Sequence, residues 1–273
     1  KDTRRYFLAL HVHENKPQFK KYELDCTNTF DNLFFSEKNN LLQLVDSFQT
    51  KTGKFGIAGT SQKLGFLLSG LPGTGKTSII KALASYTNRH IVNVSLSKIK
   101  TNQMLHDIMF DLKFNVGEEL PLPMQFKDIL FIFEDIDVSS NVSHSRDMQE
   151  DTNDEIEEVE IDSTVVKRLV YDKLNLSGLL NVLDGVIDSP DRMLVMTTNN
   201  VDILDEALIR PGRIDYKLHM KHMHSESIRN MLSHYFPGRV LPSKLTKELT
   251  AATVRQIICQ HNYEECVELL FCP

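Results

Sequence analysis

Residues 70–77 read Gly-Leu-Pro-Gly-Thr-Gly-Lys-Thr and fit the spacing G-x-x-x-x-G-K-[ST], which leaves a chain few choices of fold. A triphosphate needs many donors aimed at one point. Glycines let backbone N–H groups close around it, a lysine reaches its outer oxygens, and a hydroxyl binds Mg²⁺. Gly70, Leu71, Pro72, Gly73, Thr74, Gly75, Lys76 and Thr77 are therefore candidate phosphate-binding residues, with Thr77 also a candidate metal ligand. The flanks agree. The apolar run Leu64–Ser69 predicts a buried strand entering the loop, and Thr77–Ala84 predicts a helix leaving it with its positive end on the phosphates.

Further strands are predicted at 90–94, 128–133, 193–198 and 214–220, and helices at 37–50, 101–110 and 174–186, with Ser36 as N-cap of the first. Arg5–His13 reads as a strand fragment and Pro17–Lys21 as a polar link. Strands separated by helices imply a parallel sheet covered on both faces. From Ser225 onward the pattern is helical only, at about 225–235, 243–250, 252–260 and 263–271, which predicts a small helical lid.

Ile129–Phe133 is apolar throughout and ends in Glu134-Asp135-Ile136-Asp137. Open parallel sheets bind ligands at the C-terminal ends of their strands, where one carboxylate can hold Mg²⁺ and another polarise a water. Glu134 takes the metal place in this reading and Asp135 the water-activating place. Asn199 closes the strand Leu194–Thr198, where a neutral amide suits the sensing of a γ-phosphate. Arg210-Pro211-Gly212-Arg213 holds two arginines in a stiff turn, suited to bidentate contact with phosphate. They lie too far along the chain to reach their own loop easily, so they are expected to act in trans, on a neighbouring subunit.

These residues together resemble the AAA family of ring-forming ATPases: the loop, Phe131-Ile132-Phe133-Glu134-Asp135-Ile136-Asp137, Thr197-Thr198-Asn199, and Ala207 to Asp215. The Glu-Asp order at 134–135, Leu176 to Val186, and Arg210 to Lys217 are similar to its Bcs1 branch. The resemblance implies a P-loop α/β fold with a five-stranded parallel sheet and a C-terminal lid. Residues 28–222 would form the nucleotide-binding core, 139–173 an acidic insertion within it, 223–273 the lid, and 1–27 the end of an upstream region. It also implies ATP and Mg²⁺ bound between subunits of a homo-oligomeric ring, of about six or seven copies, that remodels or translocates a protein. Glu134, Asp135, Asn199, Arg210 and Arg213 carry the catalytic roles in that scheme. The backbone of Asp31–Phe35 is expected near the adenine, by position alone. The branch's best-known member is a mitochondrial inner-membrane chaperone that moves a folded iron–sulfur protein; the resemblance does not extend to that substrate. Many AAA translocases place an aromatic residue on a pore loop after the second strand. Ser95-Leu96-Ser97-Lys98-Ile99-Lys100 has none, which argues against threading by aromatic paddles.

Two other readings compete. One is a nucleotide-dependent assembly switch with slow hydrolysis, suggested by the reversed acid order. The other is a nucleic-acid-dependent ATPase, which the net charge of −6 disfavours. Residues 147–162 hold nine acids and no lysine or arginine; removing nine negative charges from −6 leaves +3 for the rest of the chain. Such density suits a solvated insertion or an acidic surface that steers a basic partner. No run of eighteen apolar residues is present, so an anchor is expected only in a segment upstream of Lys1. Cys26, Cys259, Cys266 and Cys272 have neither metal nor disulfide spacing, which suggests free thiols in a reducing compartment.

Overall fold

The computed structural model describes residues 4–14, 16–25, 27–117, 121–139, 172–239 and 247–271. In chain order the elements are β1 (Tyr6–His13), β2 (Lys16–Glu23), α1 (Lys38–Gln49), β3 (Lys63–Gly70), α2 (Lys76–Tyr86), β4 (His90–Asn93), α3 (Asn102–Phe110), β5 (Lys113–Phe114), β6 (Leu122–Pro123), β7 (Ile129–Phe133), α4 (Ile136–Ser139), α5 (Leu176–Asp184), β8 (Arg192–Thr198), β9 (Tyr216–Met220), α6 (Ser225–Tyr235), α7 (Ala251–Gln260) and α8 (Tyr263–Phe271).

One seven-stranded sheet runs β2-β1-β4-β7-β8-β3-β9. Its last five strands are the expected parallel set. The correction is at the other end, where β1 pairs parallel with β4 and carries β2 as an antiparallel edge strand. Residues 17–21, expected as a link, are thus part of a strand. Pro17 and the strand's lysines, Lys16, Lys20 and Lys21, disguise it, but such residues are what an edge strand tolerates. Leu8, Leu10 and Phe19 bury the inner face of this hairpin.

Strands β3, β7 and β8 are buried along almost their whole length, as parallel strands between two helical layers must be. One apolar cluster joins the sheet to α3 and α5 and includes Phe131, Phe133, Leu105 and Leu179. A second joins the opposite face to α1 and α2 and includes Phe48, Phe66, Ile79 and Leu83. Each such side chain contributes about 1.5–3 kcal/mol through burial, so these layers fix where the strand ends stand. Two buried arginines brace this end of the sheet, Arg89 by linking the starts of β7 and β8 and Arg192 by linking β8 to the end of α5. Arg89 Nη1 donates to the carbonyls of Phe126, Ile129 and Asp191, and Arg192 to those of Val182 and Leu183. Burial lowers both guanidinium pKa values to about 10.

A third cluster packs α6, α7 and α8 around Ile228, Leu232, Val254, Ile258 and Cys266, and Phe34 reaches it from the segment ahead of α1. The helix expected at 243–250 is not formed over residues 247–250, and the rest of it lies outside the described residues. Glu37 replaces Ser36 as the N-cap of α1, without a side-chain capping bond. The acidic stretch 147–162 also lies outside the described residues. No described helix is long and apolar enough to cross a membrane. Cys259 and Cys266 are free thiols, and the other two cysteines are not described.

Candidate functional site

β3 delivers the loop. At its end Gly70 has φ +135°, and a Cβ there would sit 2.1 Å from the carbonyl oxygen of Met220 on β9. Only glycine satisfies both constraints. Helix α2 then begins behind Gly75, which as N-cap offers no side-chain acceptor to the first-turn N–H groups. Those donors and the helix dipole point out of the protein as a ready anion site. Thr74 braces the turn by donating to the Leu71 carbonyl at 2.8 Å.

Lys76 is buried, and its ammonium donates to the carbonyls of Gly70 (2.5 Å) and Leu71 (3.2 Å) and to Asn199 Oδ1 (2.8 Å). Burial lowers its pKa, while the charges of Asp135 and Asp137 oppose that shift. In the sheet, β8 lies between β3 and β7. Asn199 therefore stands between the loop and the acids. The structure places the loop, Glu134, Asp135 and Asn199 at the same end of the sheet.

Glu134 is half-buried and Asp135 exposed. Burial, and then the neighbouring Asp135 charge, raise the pKa of Glu134; a hydrogen bond from Asn93 Nδ2 (3.0 Å) and the charge of Lys81 work the other way. A carboxyl whose folded pKa is raised favours the fold most when protonated. Its contribution is complete below the unfolded value of about 4.3 and is lost as pH rises through the folded one. Glu134→Gln should therefore melt a few degrees above the parent at pH 8 in metal-free buffer. The gap should close near pH 4, as thermal unfolding across pH will show; a gap that widens toward acid pH would contradict this.

The exposed Thr77 hydroxyl and the two carboxylates form an all-oxygen donor set, the type that Mg²⁺ accepts, using one or two carboxylates beside phosphate and water. No group of three or more His, Cys, Asp or Glu able to hold a metal occurs among the described residues. Next to Thr77 opens a cavity of about 380 Å³, lined by Thr27, Asn28, Asn32, Leu33, Ser78, Lys81, Tyr235 and Arg255. Its size suits a small organic ligand. Asn32 and Leu33 belong to the 31–35 segment expected near a base, whereas Asp31, Phe34 and Phe35 do not line it. The C-terminal helices close it and touch the loop directly, through Ala252 N–H to the Gly73 carbonyl at 3.0 Å.

Arg210 and Arg213 are not brought to this site. The segment after them runs beside the start of β3: Asp215 N–H donates to Gly65 O, and Gly65 N–H to Asp215 Oδ2. A Cβ on Gly65 would lie 2.1 Å from Arg213 O. Gly65 and Gly70 are five residues apart on one strand, roughly 16 Å, so the arginine turn sits at the other end of the sheet from its own loop. Arg210 is exposed, and its guanidinium makes no hydrogen bond or ion pair with any described residue. Arg213 is half-buried and donates to Ala207 O at 2.6 Å.

Sequence reasoning missed Asn93, Asp137 and the lid residues of the cavity. Asn93 carried a signal: it closes an apolar strand just as Asn199 does. In 95–100, Leu96 and Ile99 are buried and Lys98 donates to Leu10 O, so this stretch packs down onto β1.

Residues 66–222 match the family described as ATPase family associated with various cellular activities (AAA). Among curated proteins the chain is 31% identical over 216 residues to an AAA-ATPase of Arabidopsis thaliana, covering 78% of the chain and 42% of that protein. A second Arabidopsis AAA-ATPase is 32% identical over 232 residues, covering 84% and 42%. A probable mitochondrial chaperone BCS1-A of Dictyostelium discoideum is 34% identical over 199 residues, covering 73% and 41%. The chain spans about two-fifths of the length of the curated relatives it matches.

Proposed function

The chain belongs to the AAA family of ATPases, and from that premise we propose that it couples ATP hydrolysis to the remodelling or translocation of a protein by a homo-oligomeric ring. The observation that carries this reading is the separation of the two halves of the site. Loop, acids and Asn199 stand at one end of the sheet and the exposed Arg210 at the other, which supports a site completed by the arginine of a second copy.

In this reading the α2 N-terminus and Lys76 hold the phosphates, and the adenosine lies in the cavity between Leu33 and Tyr235. Thr77 and Glu134 would hold Mg²⁺, which would supply positive charge to neutralise the phosphates. Asp135 orients the attacking water, and Asn199 contacts both water and γ-phosphate without adding charge. Arg210 and Arg213 of the adjacent subunit meet the charge that develops on the transferred group. A mitochondrial setting is part of the same proposal, on the name of the Dictyostelium relative.

A second reading, an assembly switch with slow hydrolysis, has one observation in its favour. The water-orienting place is held by the shorter acid, Asp135, and is exposed. Mass measurement with and without ATP, combined with turnover per assembled site, decides between them. The remodelling machine predicts ATP-dependent rings that turn over steadily at about 1 s⁻¹ or faster. Stable rings that hydrolyse a single equivalent of ATP would favour the switch, and a fully active monomer would refute both.

A further inference from the structure

Strands β7 and β8 pair in register up to Phe133 opposite Met196, and there the backbone ladder stops. The residues on which the proposed chemistry depends lie just beyond it: Asp135 after β7 and Asn199 after β8. Two side-chain bonds continue the pairing past the ladder. Thr197 Oγ1 accepts the N–H of Asp135 at 2.9 Å, and Asp137 Oδ2 accepts the N–H of Asn199 at 3.2 Å. The arrangement is reciprocal, since each strand end gives one acceptor side chain and one backbone donor. Both acceptors are buried, Thr197 to 3% exposure and Asp137 to 9%. Bonds in such surroundings are stronger than at the surface and costlier to break.

Asp135 adds a second observation. Its φ of +46° lies in the left-handed region, which costs a non-glycine residue about 1 kcal/mol or more and persists only where neighbours impose it. Thr197 is the neighbour that binds its N–H. Asn199 is likewise fixed from two sides, by Asp137 at its backbone and by Lys76 at its side chain.

We propose that Thr197 and Asp137 are positioning residues, a two-bond clasp that sets the height of Asn199 against Asp135 and so aligns the γ-phosphate contact with the attacking water. The proposal rests on the roles given above to Asp135 and Asn199. Neither clasp residue needs to touch substrate. Each acts by holding reacting groups in attack geometry, where an error of about 1 Å costs on the order of a hundredfold in rate.

The test measures steady-state ATP turnover, affinity for a fluorescent ATP analogue and melting temperature. The variants are Thr197→Val, Thr197→Ser, Asp137→Ala, Asp137→Asn, Asn199→Ala and the double Asp137→Ala/Asn199→Ala. Valine keeps the shape of threonine but cannot accept, whereas serine can; asparagine keeps an accepting oxygen that alanine lacks. T197V and D137A should lose about 10- to 100-fold in kcat, with analogue affinity nearly unchanged in T197V, whose lost group carries no charge. T197S and D137N should recover most of it. The double variant should be little worse than N199A alone, because Asp137 works through Asn199. Losses that multiply in the double variant would overturn the proposal. So would a T197S as impaired as T197V, or turnover that falls only in step with melting temperature. If N199A alone keeps full turnover, the sensing role of Asn199 is wrong, and T197V against T197S still decides whether the clasp holds Asp135.

Discussion

Lys76→Ala should lower ATP turnover by about a thousandfold or more while leaving the fold intact. Removing one preorganised donor from a charge-stabilising site typically costs 10²–10³ in rate, and Lys76 is the loop's own ammonium, already surrounded by acceptors on three sides. Its burial disfavours the charge that binding requires, and Asp135 and Asp137 help to retain it. Those acids can do so only while the cation is present, so its loss also leaves two carboxylates facing an incoming polyphosphate. Nucleotide affinity should therefore fall together with kcat. The melting temperature of the unliganded protein should hold or rise, because a partly desolvated charge has gone and exposed Asn199 can turn to water. Turnover, equilibrium binding and thermal unfolding on one preparation check all three. Turnover retained within about tenfold would mean that the phosphates are not held at this loop.

The loop was legible because its chemistry is local. Eight consecutive residues, an apolar strand before them and an apolar helix face after them carry the whole pattern. Asn93 and Asp137 were not legible as partners, because what matters about them is which strand end they meet. That follows from the order β4-β7-β8-β3, which no single segment encodes. Nor was the β1–β2 hairpin: its outer strand must tolerate water and resist further pairing, so Lys16, Pro17, Lys20 and Lys21 mask the alternation by which strands are recognised. The arginine turn was legible in composition and only half in placement. Distance along the chain suggested that it misses its own loop. The reason became visible with Gly65, whose bare backbone lets the 213–215 segment lie against the start of β3.

Arg210→Ala should be as damaging as the lysine change, about a thousandfold if it supplies an arginine finger in trans, yet it should leave nucleotide binding in place. The decisive experiment mixes subunits. In a ring built at random from equal amounts of R210A and K76A, a site works when an R210A subunit gives the loop and a K76A neighbour gives the arginine. Half of the loops are intact and half of the neighbours are intact, so about a quarter of sites should recover, from two preparations that are each inactive. Arg210 is the better probe of the pair. Its guanidinium is exposed and unengaged within the described chain, whereas Arg213 also ties down Ala207, so R213A would loosen the turn as well as remove a charge. Placing R210A and K76A in the same chain, mixed with nothing else, gives the baseline. Recovery near a quarter at equal mixing, falling as either variant is put in excess, means that the site is shared. A mixture no more active than its parts would place Arg210 outside the neighbour's site and remove the physical reason for a ring.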